Sequence, residues 1–401
     1  MMHSFDFDRV IDRRGTNALA IEGYAEYLFG DEPPRAAPRD LIPLWVADMQ
    51  FAAPPMVAES ISRRLSHPIF GYTGHFDHTL FAVFNSWCET RYGWSVLREH
   101  LQLSLGVIPA LYILVDLVCR SGDKVVTLSP AYGYFRKAAE RNGIELVTSP
   151  LIMDDWYPRI DFEDFAARVR DPRVRLFFLC HPHNPTGRAW SGDELMQLAD
   201  ICAENDVLIV SDEVHCDLLR CGLVHVPLAK LRPHDPNIIT CMAPSKTFNL
   251  AGLMTAMVII PNERLRTAWR EAHYPFVNPL GLAAAVGAYE GGAGWLEQLR
   301  HYLDSNFAAL RDQLEATLPL ARFRIPEATY LAWIDMSAYF PMERNLTGFF
   351  LETGGVIIEG EEMFIDNGHG AIRLNAACPL ARLSEAVGRL ANAIETGRGA
   401  S

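Results

Sequence analysis

From about residue 100 onward, short apolar runs alternate with amphipathic segments, and this alternation restricts the possible folds more than any other feature of the chain. The apolar runs are Lys124–Leu128, Glu145–Thr148, Val174–Leu179, Val207–Val210, Ile238–Cys241 and Met257–Ile260. Strands that alternate with helices usually form a mostly parallel sheet that is covered by helices on both faces. We therefore expect an α/β fold.

Polar residues follow three of these expected strands. They are Asn184-Pro-Thr-Gly187, Asp212-Glu213 and Lys246. In sheets of this kind, ligands bind at the carboxyl ends of the strands. The spacing between the three groups leaves room for one helix each, so the three can converge on one pocket.

Lys246 has apolar neighbours on both sides, and this environment suits a reactive amine. Desolvation disfavours the ammonium form and lowers its pKa. A partly neutral amine can attack an aldehyde and hold it as a Schiff base. An isolated Ser-Lys pair is more often a solvated lysine in a loop, so the interpretation depends on the surrounding motifs.

A second candidate site precedes the helix expected from Pro109 to Cys119, which has Pro in its first turn and Gly122 just past its end. Its N-terminus lies beside Gly106, where free amide groups can bind a phosphate, although many helix N-termini bind only water. Tyr72, in the glycine-rich turn Phe70–Gly74, is by itself best interpreted as a solvent-facing tyrosine.

The length of 401 residues favours more than one domain, because single hydrophobic cores stop growing at roughly 250 to 300 residues. We expect an N-terminal arm (1–45), a large domain (46–290) and a smaller α+β domain (291–401), to which part of the arm could contribute. The arm ends in a Pro-rich link, Asp31–Pro38. The expected elements after Gly294 are helices Trp295–Leu318, Leu346–Thr353 and Leu383–Thr396 and strands Thr329–Ile334, Val356–Ile358 and Ile372–Asn375.

Composition excludes several classes of partner. Lys and Arg number 36 against 49 Asp and Glu, a formal charge of −13, which argues against nucleic acid and anionic membrane surfaces as partners. No apolar run approaches the ~18 residues of a membrane span, and the N-terminus is charged, so we expect a cytoplasmic protein. The eight cysteines show no zinc spacing and are expected to be reduced core residues, and no metal is expected.

The polar strand ends belong to a longer series of motifs along nearly the whole chain. Asn184–Gly187, Ser211–Glu213, Ser245-Lys246 and Arg373 resemble the fold-type I pyridoxal-phosphate (PLP) enzymes of the class I/II aminotransferase group. Other segments resemble its C-S lyase branch, the cystathionine β-lyase-like MalY/PatB type: Asp12–Asn17, Trp45–Met49, Phe70–Thr73, Asp212–His215 and Ser245–Asn249. The resemblance implies a large domain with a mostly parallel seven-stranded sheet, a smaller α+β domain, and PLP as the cofactor.

The resemblance also implies roles for the motif residues. Lys246 holds the cofactor and takes the substrate Cα proton, and Asp212 keeps the pyridine nitrogen protonated. Asn184 donates to the ring hydroxyl, and Tyr132 stacks on the ring, with a plain core position as its alternative. The full cofactor-binding set is Gly106, Val107, Ile108, Tyr132, Asn184, Asp212, His215, Ser245, Lys246 and Tyr72; the catalytic set is Lys246, Tyr132 and Tyr72; the substrate-binding set is Arg373, Asn184 and Asn17.

Several of these roles concern the phosphate and the substrate carboxylate. The amides of Val107 and Ile108 are implied to bind the phosphate, which Tyr72 of a neighbouring subunit also reaches, so a homodimer with shared active sites is expected. Arg373 is implied to bind the substrate carboxylate through two hydrogen bonds, with a surface salt bridge as the alternative. For His215 a purely structural role is an equal alternative.

The chain departs from the family pattern at two places. The first is the segment around Lys246, where Ala243 replaces the serine of many relatives and Met254 replaces an arginine that aminotransferases often have. The second is the arm, which reads Ala18–Glu22 where the branch usually has a Ser, a Lys-Trp pair and an Asp. Because the arm lines the substrate entrance in the family, we expect a cysteine S-conjugate that is larger or less polar than cystathionine.

The implied reaction is β-elimination from a cysteine S-conjugate, which gives a thiol, pyruvate and ammonia. Transamination, and oxidative deamination or decarboxylation of an S-linked cysteine in specialised metabolism, remain alternatives on the same cofactor. A purely regulatory binding protein is disfavoured, because the lysine, aspartate and arginine of the site are all present.

Overall fold

The computed structural model describes residues 4–31, 40–76, 78–141, 143–274, 276–340, 345–366, 368 and 370–399. All of the Pro-rich link except Asp31 lies outside the described residues. The helices are α1 (Leu19–Glu22), α2 (Tyr24–Phe29), α3 (Pro55–Leu65), α4 (Thr79–Tyr92), α5 (Val107–Val118), α6 (Gly133–Glu140), α7 (Phe162–Val169), α8 (Gly192–Glu204), α9 (Leu228–Leu231), α10 (Pro244–Thr247), α11 (Glu263–Ala272), α12 (Pro279–Gly291), α13 (Ala293–Thr317), α14 (Leu346–Gly354) and α15 (Leu380–Gly399).

The strands are as follows: β1 (Ile42–Pro43), β2 (Leu101–Ser104), β3 (Lys124–Ser129), β4 (Ala131–Tyr132), β5 (Glu145–Pro150), β6 (Ile152–Asp154), β7 (Tyr157–Arg159), β8 (Val174–Cys180), β9 (Leu208–Asp212), β10 (Ile238–Met242), β11 (Ala256–Ile259), β12 (Arg322–Phe323), β13 (Leu331–Asp335), β14 (Val356–Ile357), β15 (Glu359–Gly360), β16 (Phe364–Ile365) and β17 (Ala371–Asn375). Short 3₁₀ turns occupy Arg98–His100, Ala251–Leu253 and Glu361–Met363.

The largest sheet in the described part of the chain has seven strands in the order β2-β11-β10-β9-β8-β3-β5. The pairs from β10 through β5 are parallel, and β11 runs antiparallel to both of its neighbours. Strand β10 is buried along its whole length and β8 at every residue except Arg175, as expected when helices cover both faces. This confirms the mostly parallel sheet that the alternation predicts.

The C-terminal part of the chain forms a second sheet, with four described strands in the order β12-β13-β17-β15. All of its pairs are antiparallel. Helices α13, α14 and α15 contribute apolar side chains to a core with these strands, including Phe307, Phe350 and Leu390. The predicted strands and helices of this region are present within a few residues of their expected bounds.

The N-terminal arm packs against this C-terminal part. Strand β1 pairs in parallel with β14, and the side chains of Ile42 and Leu44 are buried in the same core. Trp45 forms a smaller cluster with Leu351 and Ile357, which α2 borders. The arm therefore lacks a separate core, and the division into three parts at residues 45 and 290 remains a proposal.

Two local features position the site. Helix α5 begins at Val107, two residues before the predicted Pro109, so the amides of Val107 and Ile108 belong to its first turn. Gly106 precedes the helix with a φ of 143°, a value that L side chains rarely adopt, and an added Cβ would lie 3.3 Å from Pro109 Cδ. Strand β2 lies just before α5 and forms one edge of the large sheet. The sequence pattern does not predict this strand.

Candidate active site

One cavity, of about 220 Å³, lies at the carboxyl ends of β8, β9 and β10. Every predicted site residue except Tyr72 and Asn17 lines it: Gly106, Val107, Ile108, Tyr132, Asn184, Asp212, His215, Ser245, Lys246 and Arg373. The position agrees with the rule that ligands of such sheets bind where the parallel strands end.

Lys246 lies on α10, the single helical turn that follows β10. Its Nζ atom donates a hydrogen bond to the carbonyl oxygen of Ala47 at 2.7 Å, which fixes the amine inside the cavity. Burial is the main cause that lowers the pKa of Lys246 to about 8, and the positive charge of Arg373 lowers it further. A fraction of the amines is therefore neutral near pH 7 and can act as a nucleophile or a base.

Asp212 is the last residue of β9 and is buried. Its Oδ1 atom accepts a hydrogen bond from the amide of Val214 at 3.2 Å. Burial raises the pKa of Asp212 to about 7, although the Val214 amide and the charge of Lys246 both oppose the shift. A carboxylate under this desolvation is strongly stabilised by any cationic partner that enters the cavity.

The N-terminus of α5 forms one wall of the cavity. The amides of Val107 and Ile108 are among those that a helix leaves without intrahelical acceptors. Gly106 has no side chain to block the approach to these amides, and Ser245 and Thr255 also line the cavity. This wall suits an anion such as a phosphate.

Arg373 lies on β17 with its side chain buried in the opposite wall. Its Nη1 donates to Asn184 Oδ1 at 2.8 Å, and its Nη2 donates to the carbonyl oxygen of Trp45 at 3.1 Å. Its guanidinium also forms an ion pair with Glu359 and lies 5.1 Å from the centre of the Phe364 ring. Because Arg373 uses the amide oxygen of Asn184, the amide nitrogen is the group left to donate into the cavity.

Tyr132 and His215 line the cavity without a charge. Tyr132 ends β4, which pairs with β16, and its ring lies 5.3 Å from that of Tyr134. Burial raises the pKa of Tyr132, so its hydroxyl stays protonated. His215 is buried, and burial together with the charges of Lys246 and Arg373 lowers its pKa well below 6.5, so the imidazole is neutral.

Two predicted residues lie outside the cavity of their own chain. Asn17 is exposed, with a φ of 55°. Tyr72 is 82% exposed, and its ring is tilted by 31° to the ring of Phe276, with the two ring centres 4.9 Å apart. The substrate role of Asn17 and the phosphate role of Tyr72 stay predictions.

Several residues that line the cavity are not predicted from the sequence as site residues. The carbonyl oxygens of Trp45 and Ala47 accept hydrogen bonds from Arg373 and Lys246. Both residues belong to the motif Trp45–Met49, but their side chains do not indicate that the main chain contributes to the site. Tyr27 comes from the arm, and Glu359 comes from a two-residue strand that has no recognisable pattern. Cys180 also lines the cavity, as does Met254, the residue that stands where aminotransferases often have an arginine.

The cysteines of the chain are mostly buried, and the described acidic and histidine residues form no metal-binding cluster with them. Seven cysteines are buried and Cys221 is half-buried, and none forms a disulfide. Among the described residues, no group of three or more His, Cys, Asp or Glu side chains is arranged to hold a metal ion. No helix in the described part of the chain has both the length and the apolar character that crossing a bilayer requires.

Comparison with known proteins agrees with this geometry. The family aminotransferase class I and II matches residues 39–390. Cystathionine β-lyase PatB of Bacillus subtilis is 39% identical over 97% of this chain and 100% of its own length, and protein MalY of Escherichia coli is 32% identical over 98% and 100%. The structure of the PLP-bound C-S lyase from Staphylococcus hominis superposes with a TM-score of 0.94, at 44% identity and with 98% of each chain covered.

The chain therefore belongs to the aminotransferase class I and II family and has the fold-type I architecture. Within that family its place is the branch of PatB and MalY, as the motif resemblance indicated.

Proposed function

We propose that this enzyme is a PLP-dependent C-S lyase that carries out β-elimination on a cysteine S-conjugate. PLP is its cofactor, and its relatives include a cystathionine β-lyase and a PLP-bound C-S lyase. The observation that carries the proposal is the convergence of Lys246, Asp212 and Arg373 on one cavity that also contains a helix N-terminus.

The residues of the cavity fit this cofactor. Gly106 brings no side chain to the cavity wall beside the amides of Val107 and Ile108, which would bind the phosphate. At the other end, the desolvated Asp212 carboxylate would hold a protonated pyridine nitrogen. Between them, Lys246 would hold the aldehyde carbon, while Asn184 would donate to the ring hydroxyl and Tyr132 would cover the ring.

Bound PLP supplies an electron sink for the electron pair that a broken bond at the substrate Cα leaves behind. Arg373 binds the substrate carboxylate and so orients the Cα–H bond. Lys246 Nζ takes the Cα proton, which its pKa of about 8 permits near neutral pH. The Cβ–S bond then breaks with its electron pair on sulfur, the thiolate leaves, and the released enamine hydrolyses to pyruvate and ammonia.

A product assay tests the proposal. The purified enzyme is incubated with several cysteine S-conjugates, and thiol, pyruvate and ammonia are measured with and without an added 2-oxo acid. We expect equal amounts of the three products without any 2-oxo acid. Steady turnover that requires 2-oxoglutarate would instead identify an aminotransferase, and turnover that consumes oxygen would identify an oxidative reaction.

We also propose that the enzyme is a homodimer in which Tyr72 reaches the active site of the partner subunit. The surface around Tyr72 supports this, since large apolar side chains are exposed together: Ile69 (66%), Phe70 (54%), Phe76 (80%) and Tyr274 (58%). A cavity of about 650 Å³ beside this surface, bordered by Phe76, Arg266 and Trp269, holds none of the catalytic residues. Clustered apolar exposure of this kind usually marks an interface between proteins.

A further inference from the structure

A second cavity adjoins the active site and shares a wall with it. This side cavity, of about 320 Å³, is bordered by residues that include Tyr27, Tyr132, Lys137, Glu140, Glu359 and Glu362. Three of its residues, Tyr27, Tyr132 and Glu359, also line the active site. A substrate held by Arg373 and Lys246 can therefore extend past Glu359 into the side cavity.

Glu359 lies directly opposite Arg373 in the antiparallel pair of β15 and β17. Cross-strand neighbours of this kind place their side chains on the same face of the sheet. Glu359 is 6% exposed, and its carboxylate forms an ion pair with the guanidinium of Arg373. Arg373, which we propose binds the substrate carboxylate, is therefore already paired with the carboxylate of Glu359.

A substrate carboxylate on Arg373 leaves Glu359 without full compensation, because two carboxylates then share one guanidinium. Lys246, the other cation of the active site, has to be neutral when it takes the substrate Cα proton, so it does not supply the missing charge at that stage. Burial raises the pKa of Glu359, the charge of Arg373 opposes this shift, and the nearby carboxylate of Glu362 adds to it.

The cations of the side cavity are already engaged. Arg136 lies 3.4 Å from Asp366 and 4.0 Å from Glu140. Lys137 lies over the ring of Tyr134, with its Nζ atom 4.6 Å from the ring centre. The missing positive charge is therefore best supplied by the substrate.

We propose that Glu359 is a specificity-determining residue that selects cysteine S-conjugates whose S-substituent carries a cationic group, and that the side cavity holds this substituent. Lys137 already lies near the rings of Tyr27 and Tyr134, which leaves the ring of Tyr132 as the aromatic group that can attract a substrate cation. The inference rests on the proposed β-elimination and names its substrate class. The substituent is an alkyl or aromatic group that bears an ammonium or a comparable cation and no carboxylate, so it has a net positive charge, unlike the zwitterionic substituent of cystathionine.

The first test compares the kcat/KM of S-aminoethyl-L-cysteine, uncharged S-propyl-L-cysteine and anionic S-carboxymethyl-L-cysteine, with S-aminopropyl and S-butyl conjugates as a longer pair. We expect the cationic member of at least one pair to exceed its uncharged partner by about tenfold or more, as a charge-assisted contact implies. In Glu359→Gln this ratio should fall to about one. The ratio is the readout, so a general loss of activity in the variant does not affect the conclusion.

The second test does not depend on turnover. L-lysine has the shape of S-aminoethyl-L-cysteine but no leaving group, and L-norleucine lacks its ammonium. Calorimetry of the holoenzyme should give a lower Kd for lysine than for norleucine, and Glu359→Gln should abolish this difference. As a matched control, Glu140→Gln removes a carboxylate from the exposed rim of the same cavity and should keep the preference.

The inference is overturned if no cationic conjugate is preferred, if the anionic conjugate is preferred, if the preference survives Glu359→Gln, or if Glu140→Gln abolishes it equally. Failure of the proposed function looks different, because no conjugate would then yield thiol and pyruvate. The comparison of lysine with norleucine would still decide the role of Glu359 in that case.

Discussion

Replacing Asp212 by Asn in the cofactor-free enzyme should stabilise the fold at alkaline pH and weaken the binding of PLP. The change keeps the side-chain shape and the oxygen that accepts from the Val214 amide at 3.2 Å. It removes only the ionisable group. The effect on stability therefore measures what it costs to hold a negative charge in the cavity before the cofactor arrives.

The magnitude follows from the shift in pKa. Burial raises the pKa of Asp212 from 3.8 to about 7, so the folded chain binds this proton more tightly than the unfolded chain does. The stabilisation by the bound proton is complete below pH 3.8 and is lost as the pH rises to about 7. With these values the Asp212 carboxyl lowers the free energy of unfolding, relative to a side chain that cannot ionise, by about 4 kcal/mol at pH 8 and about 2 kcal/mol at pH 5. Water that enters the cavity screens the charge and reduces both figures.

The assay is urea unfolding of the cofactor-free wild type and Asp212→Asn at pH 5 and pH 8. We expect the variant to gain more free energy of unfolding at pH 8 than at pH 5, by roughly 2 kcal/mol. Glu213, whose pKa burial also raises to about 7, is present in both proteins, so only its electrostatic coupling to Asp212 enters the difference. Asp193→Asn, which removes an exposed carboxylate on α8, should not reproduce this pH-dependent gain.

The cofactor should reverse the order of stability. PLP should raise the unfolding temperature of the wild type far more than that of Asp212→Asn, because only the carboxylate compensates a protonated pyridine nitrogen. If Asp212→Asn gains no stability at pH 8, the cavity does not desolvate the carboxylate. If PLP stabilises both proteins equally, Asp212 does not face the ring nitrogen.

Three further predictions concern the other site residues. Borohydride reduction of the holoenzyme should leave a phosphopyridoxyl group on the peptide that contains Lys246, and a reducible adduct that persists in Lys246→Ala would refute the assignment. Arg373→Ala should raise the KM for cysteine S-conjugates by the equivalent of about 2 to 4 kcal/mol, with a much smaller change in the Kd of PLP, and an unchanged KM would remove Arg373 from the substrate site. Co-expression of Lys246→Ala with Tyr72→Phe should restore activity in one site of the mixed dimer, whereas a mixed dimer no more active than the Tyr72→Phe parent would place Tyr72 in its own chain's site.

The alternation of apolar runs and amphipathic segments was enough to predict the large sheet. Its strands are buried on both faces, so their sequences are continuous apolar runs that are easy to recognise. The sequence does not predict strand β2, because it is four residues long and lies at an edge of the sheet. There the pairing with β11, rather than a local sequence pattern, determines that the segment is a strand. The two-residue strand β15, which no sequence pattern predicts, depends on its partner β17 even more strongly.

For the site, the sequence alone determined the residues whose chemistry depends on their own side chain. Lys246, Asp212 and Asn184 follow apolar strands, and a parallel sheet brings such strand ends to one edge. The motif resemblance predicts Arg373 as a site residue. It lies on the second sheet, and its side chain lines the same cavity.

Only the tertiary structure decided which groups surround these residues. The carbonyl oxygens of Trp45 and Ala47 bind Arg373 and Lys246 across more than 190 positions of sequence, and main-chain oxygens carry no sequence signature. Glu359 faces Arg373 because β15 pairs with β17 in one particular register, and a slip of one residue would turn it away. Local sequence determines the chemistry of each side chain, but long-range pairing determines which side chains share a cavity.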